Sequence, residues 1–144
     1  MKRVLFVAAI VVVMAALLGW TRPLAFSEEG PAPDYKDLES GKWRNTAFTV
    51  NAGRYNLVFD VTLAIEKVGE GKITGVFTSQ EKLDKAPKSM PFSSNIEKNP
   101  DGKLRFVIKI IWSGNSYRYD LQDDGNFMMS SPPGASGVLK KVVE

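Results

Sequence analysis

Between Tyr55 and Glu66 the chain alternates apolar and polar residues with a period of two. Leu57, Phe59, Val61, Leu63 and Ile65 fall on one face, with Asn56, Asp60, Thr62 and Glu66 mainly on the other. Only an extended strand puts every second side chain on one side, so this segment must be a half-buried β-strand. The pattern returns at Leu104, Phe106, Ile108, Ile110 and Trp112, opposed by Arg105, Val107, Lys109 and Ile111. It is weaker at Ile73, Gly75 and Phe77, and at Tyr117, Tyr119 and Leu121. Phe127–Ser130 and Val138–Val143 read as shorter strands.

Turn signals separate these runs: Asn51-Ala52-Gly53, Gly69-Glu70-Gly71, Asp101-Gly102, Gly114-Asn115, Asp124-Gly125 and Pro133-Gly134. Each supplies a Gly or Asn that accepts the positive φ of a tight hairpin. No helical stretch of about 10 to 15 residues intervenes, which excludes parallel α/β architecture. An open meander would leave long strand edges exposed, so closure is the expected solution. The expected fold is all-β: a small antiparallel up-and-down meander barrel of about seven to eight strands over residues 42–144, preceded by an N-terminal hydrophobic export helix. The polar stretch Gln80–Pro100 is the exception. It is expected to hold a short strand around Met90–Glu97, and otherwise to form either a lid or contact surface or a plain connection.

The export segment spans residues 1–27. Lys2 and Arg3 precede an uncharged apolar run from Val4 to Trp20, and Ala25-Phe26-Ser27 places small residues at the two positions a signal peptidase reads. Cleavage before Glu28 is expected, giving a secreted or periplasmic protein. The alternative is an uncleaved helix anchoring the domain to the inner membrane, the only membrane contact foreseen. Residues 28–41, acidic and rich in Pro and Gly, read as a flexible linker.

The whole chain carries a formal charge of +3. Lys2, Arg3 and Arg22 account for it, leaving 16 basic and 16 acidic residues in the remainder. A balanced domain lacks the clustered Lys and Arg that hold phosphate backbones, so no nucleic-acid partner is expected. The chain has neither Cys nor His. Disulfides, a lipid-modified cysteine, structural zinc, and Ser-His-Asp or Cys-His catalysis are thereby excluded, and no metal or cofactor is expected. Only carboxylate, Lys, Ser or Tyr chemistry remains, and the protein is read as a non-enzyme.

Gly41-Lys42-Trp43-Arg44-Asn45, followed by Gly71-Lys72-Ile73-Thr74-Gly75-Val76-Phe77-Thr78-Ser79, resembles the opening of avidin-type barrels. The Gly-x-Trp start also resembles lipocalins. The resemblance covers 14 residues and implies an eight-stranded up-and-down barrel with a ligand at its mouth. It also implies that Asn45 matches a residue that hydrogen-bonds biotin in avidins. Phe77 stands where that family has a ligand-binding Tyr, which removes the hydroxyl donor, and the signatures of the later strands have no counterpart.

Trp43 is read as a plug at the base of the barrel. Trp112, Tyr117 and Tyr119 flank the Ser113-Gly114-Asn115 turn and suit either a ligand platform or cross-strand pairing. Asn45, Phe77, Trp112, Tyr117 and Tyr119 are therefore the candidate ligand-binding residues, with no catalytic set. Asp60 and Asp120 are read as solvated strand residues rather than an acid–base pair, and Lys140-Lys141 as a solubilising edge device. Two functions stay open. One is binding of a small apolar ligand in the cell envelope or outside the cell. The other is a structural or protein-interaction module of the envelope with a filled barrel. The interior decides between them, because a barrel of about eight strands holds either side chains or one small ligand.

Overall fold

The computed structural model describes residues 34–83, 86–131 and 134–144. The expected export helix, its cleavage site and the start of the linker lie outside them. Nine strands follow a 3-10 turn at Lys36–Leu38: β1 Lys42–Ala52, β2 Tyr55–Gly69, β3 Lys72–Glu81, β4 Lys88–Asn95, β5 Glu97–Lys98, β6 Leu104–Lys109, β7 Ser116–Leu121, β8 Phe127–Ser131 and β9 Ala135–Lys141. Their order in the sheet is β4-β3-β2-β1-β9-β8-β7-β6-β5 and every pairing is antiparallel. The result is a nearly closed up-and-down barrel, compatible with a calycin-like one, with nine strands instead of seven to eight.

The extra strand has a physical origin. The chain turns at Ile96, so β4 pairs with β3 and the short β5 hands the ladder to β6. Between β4 and β6 no ladder forms, and the Val107 N–H instead donates to Ser94 Oγ at 3.3 Å. Pro91 sits in β4, and an edge strand is where a sheet tolerates a residue without an N–H. Most of the polar stretch from Gln80 is thus strand, including the short one expected around Met90–Glu97, with Met90 and Phe92 buried.

The other closure is β1 on β9, through two residue pairs, Trp43 with Lys141 and Arg44 with Lys140. Beyond them β1 bulges between Asn45 and Phe48. Gly137 faces that bulge, and a Cβ there would lie 2.9 Å from the Phe48 ring. Both seams are therefore laddered only toward the β1 start and the β5–β6 turn.

The alternating residues divide as expected between faces. Val61, Leu63, Ile65, Leu104, Phe106, Ile108 and Ile110 are buried in one core with Ile73, Phe77, Phe127, Met129 and Leu139. The predicted turns carry Gly at positive φ, including Gly53, Gly71 and Gly125. Three boundaries differ from expectation, the last strand running Ala135–Lys141 and not Val138–Val143. β6 stops at Lys109, because Ile110–Asn115 closes a turn in which the Ile110 N–H donates to the Asn115 carbonyl at 2.8 Å. Residues 35–41, assigned by composition to the linker, belong to the compact unit of the barrel, with Leu38 buried in the core and Tyr35 packed against it.

Candidate functional site

The chain direction sorts the connections into two sets. The 3-10 turn, the β2–β3 turn, residues 99–102 and the β7–β8 turn lie at one end; residues 53–54, 82–83, 86–87, 110–115 and 134 lie at the other. The first end is closed. Trp43 has no exposed surface, its Nε1–H donates to the Gly125 carbonyl at 2.9 Å, and its ring meets Phe127 edge-on at 5.1 Å. Gly41 crosses the indole so closely that a Cβ would lie 2.5 Å from the ring, and the Gly41 carbonyl accepts the Ile65 N–H at 2.9 Å. The Lys141 ammonium lies 5.6 Å from the Trp43 ring centre, a cation–π contact. The expected plug is thus anchored from four sides.

The other end is hollow. A cavity of about 400 Å³ opens there. Its walls include Phe48, Phe59, Phe77, Ile110, Trp112 and Met129, and its rim includes Asn51, Glu81, Lys88 and Asn115. Phe77 and Trp112 stack with centroids 6.2 Å apart and planes 25° apart, giving one wall a continuous aromatic surface. Buried Ser79 adds a polar group to the lining. Leu57, which looks identical to Val61 in the alternation, is a half-buried wall residue.

Three of the five candidate residues meet at this cavity: Phe77, Trp112 and Tyr117. Tyr117 contacts Phe48 edge-on at 5.9 Å. Burial raises the pKa of its hydroxyl, partly offset by a hydrogen bond with Asn115. Tyr119, two residues further along the same face, does not line the cavity. It is fully buried and stacked on Phe106 at 5.0 Å. Its hydroxyl has no hydrogen-bond partner among the described residues, and burial, with Tyr117 nearby, pushes its pKa well up.

Asn45 is also apart from the cavity. Its side-chain oxygen accepts the Ala47 N–H at 2.8 Å and its amide donates to the Val138 carbonyl at 3.0 Å. Those bonds satisfy backbone groups that the bulge and the short seam strip of ladder partners. The side chain is committed to closing the barrel.

The two carboxylates weighed in the sequence each face arginine, but only Asp60 is a partly solvated strand residue as expected; Asp120 is buried, at 8% exposure, against Arg105 and Arg118. Asp60 takes a two-pronged contact from Arg44, whose hydrogen bonds hold the carboxyl below its ordinary pKa. Asp120 accepts from Arg105 Nε at 2.6 Å and lies 3.4 Å from Arg118 Nε. Neither lines the cavity. The rim residues Glu81 and Lys88 and the wall residue Val50 were not singled out in the sequence, because nothing in a one-dimensional pattern shows how far up a strand the packing ends. No protein-family model, curated protein or solved structure matches this chain.

Proposed function

We propose that this protein binds one small, mainly apolar molecule in the hollow end of its barrel. The observation that carries the reading is the cavity of about 400 Å³ with an aromatic wall and a few polar rim groups. Such volumes fall in the range of about 300–1,000 Å³ that small-molecule sites occupy. Apolar walls gain free energy by losing contact with water when an apolar molecule enters, while Asn51, Glu81, Lys88 and Asn115 orient a polar substituent at the mouth. The two positions that the avidin resemblance would assign to biotin do not serve it, since Asn45 is spent on the seam and residue 77 lacks a hydroxyl. Binding in the envelope or outside the cell accords with the apolar run Val4–Trp20 and its small-residue cleavage signal, which make the domain an exported one in this reading.

Native mass spectrometry of the protein purified from its own envelope is expected to show one bound small molecule. In parallel, a fluorescent apolar probe such as N-phenyl-1-naphthylamine is expected to bind the full chain and alter Trp112 fluorescence. A filled cavity in Val50→Trp should abolish probe binding without lowering the unfolding midpoint. Equal probe binding by the wild type and the filled variant would overturn the proposal.

A further inference from the structure

We infer that the hollow end is also a docking surface for a lipid bilayer bearing anionic headgroups, whether or not the cavity holds a ligand. Single exposed apolar side chains are ordinary on protein surfaces. Their distribution here is not. Among the described residues, the large apolar side chains more than two-thirds exposed are Tyr55 at 74%, Leu83 at 91%, Ile111 at 75% and Val143 at 90%. Val143 stands in the tail after β9. The other three begin β2, follow β3 and occupy the β6–β7 turn, so three separate parts of the chain bring them to the end of the barrel at which the cavity opens.

Charge follows the same division. Among the described residues, Arg54, Lys82, Lys88 and Lys109 flank these positions, against Glu81. At the closed end the connections and the strand residues beside them set Lys36, Lys42, Lys72, Lys98, Lys103 and Lys141 against Asp37, Glu39, Glu70, Glu97, Asp101, Asp123 and Asp124, with no excess of cations. An anionic surface attracts the first end more than the nearly balanced second, which orients the barrel mouth-down.

The local structure suits insertion. A membrane penalises unsatisfied backbone groups, and the β1–β2 and β6–β7 tips bond internally. The Gly53 N–H donates to Asn51 Oδ1 at 3.0 Å, and Ile110 and Gly114 N–H groups close the β6–β7 turn at 2.8 Å each. Leu83 and Ile111 are long enough to enter the acyl boundary, and Tyr55 suits the headgroup level, with an apolar ring and a polar tip. Three apolar points around an opening, each beside a cation, fit a soft lipid surface better than a continuous apolar patch with a polar rim, the usual form of a protein interface. Docked in this way, the cavity opens directly onto the bilayer, and an apolar molecule passes between the two without crossing water.

The absence of Cys makes the test position-specific, and so independent of any membrane affinity of residues 4–20. Leu83→Cys, Ile111→Cys and, as a closed-end control, Asp123→Cys are each made in the full chain and labelled with an environment-sensitive fluorophore. Each is mixed with vesicles of equimolar phosphatidylcholine and phosphatidylglycerol, some carrying brominated acyl chains. The labels at 83 and 111 are expected to shift to the blue and to be quenched by bromine, while the label at 123 stays aqueous. Reversing charge in Arg54→Glu with Lys82→Glu should lower the quenched fraction on the order of tenfold or more, as should purely phosphatidylcholine vesicles. Far-ultraviolet circular dichroism confirms that the variants keep the β-sheet signal. Labels at 83 and 111 that stay aqueous, or that insert equally into neutral vesicles, overturn the inference. So does a label at 123 that inserts as deeply, or labels that respond to a protein extract of the envelope and not to vesicles. The naphthylamine titration reads the cavity separately, so either proposal can fail without the other.

Discussion

The two ends of this barrel are made of the same strands and differ in almost everything else. At the closed end an indole with no exposed surface, a glycine lying against its ring and a buried Leu38 fill the interior. At the open end another indole, Trp112, is half-buried and stacks on a cavity wall. The difference lies in where hydrogen bonding stops. The β1–β9 seam keeps its two residue pairs at the Trp43 level, and the bulge at Asn45–Phe48 ends pairing with β9 beyond it. Where the seam is laddered the walls draw in and side chains meet across the axis; where it is released they stand apart and leave space.

The sharpest way to break this comparison is to truncate both indoles. Trp43→Ala should cost about 3–5 kcal/mol, the range for removing a fully buried large aromatic, read as a fall in the urea unfolding midpoint. Trp112→Ala should cost about 1 kcal/mol and instead weaken binding of the naphthylamine probe. Equal stability losses for the two would mean that the ends are not differently packed.

Tyr119 lies just below the transition, and Tyr119→Phe tests where packing becomes complete. The hydroxyl lacks a partner among the described residues, so its removal should raise stability by about 1 kcal/mol. A loss of similar size would show that the hydroxyl has a satisfied role in the wild type. The same buried phenols set an alkaline limit. Tyr117 and Tyr119 have pKa values above the ordinary 10.0, so the unfolded chain releases their protons first and stability falls as pH rises past that value. Spectrophotometric titration at alkaline pH, with Tyr119→Phe alongside, should show the steepness reduced.

The smallest effect lies outside the barrel wall, at Arg44 and Asp60. Asp60 is held below its ordinary 3.8 in the folded protein, so its contribution is present above that pH and is lost as pH falls through the lowered value. The pair is largely solvent-exposed and screened. Asp60→Asn should flatten the acid limb of the stability curve slightly and leave the probe titration unchanged.

Much of this architecture was legible in the chain. Period-two alternation gave the faces of β2 and β6, the Gly and Asn pairs gave the turns, and the Gly-x-Trp opening gave the plug. Height along the barrel was not legible, because alternation reports which face a residue occupies and not how far the opposite wall stands from it. Leu57 and Phe59 therefore read as core in the same way as Leu63, and Tyr117 read the same as Tyr119. Strand β4 was read only as a short strand around Met90–Glu97, and its start at Lys88 was not legible because its outward positions include Ser89 and Pro91, whose presence there depends on an edge that exists only in the folded barrel. Leu38 was hidden because one apolar anchor among acidic neighbours leaves no periodic signal. Asn45 showed the opposite limit: a resemblance located the residue, but the bulge beside it determined its bonding.

The short seam has a further consequence, for the order in which the barrel is made. Each hairpin from β1 to β4 and from β6 to β9 pairs neighbours in the chain and closes a small loop, which is quick. Joining Trp43 and Arg44 to Lys140 and Lys141 closes a loop of nearly the whole domain for only two residue pairs, so it should come last in folding. Until those last residues are available, β1 presents an unpaired edge, and a half-made barrel is at its most prone to pair with a neighbour. Asn45 and Gly137, which fit the bulge to β9, are then the residues that set how long that interval lasts.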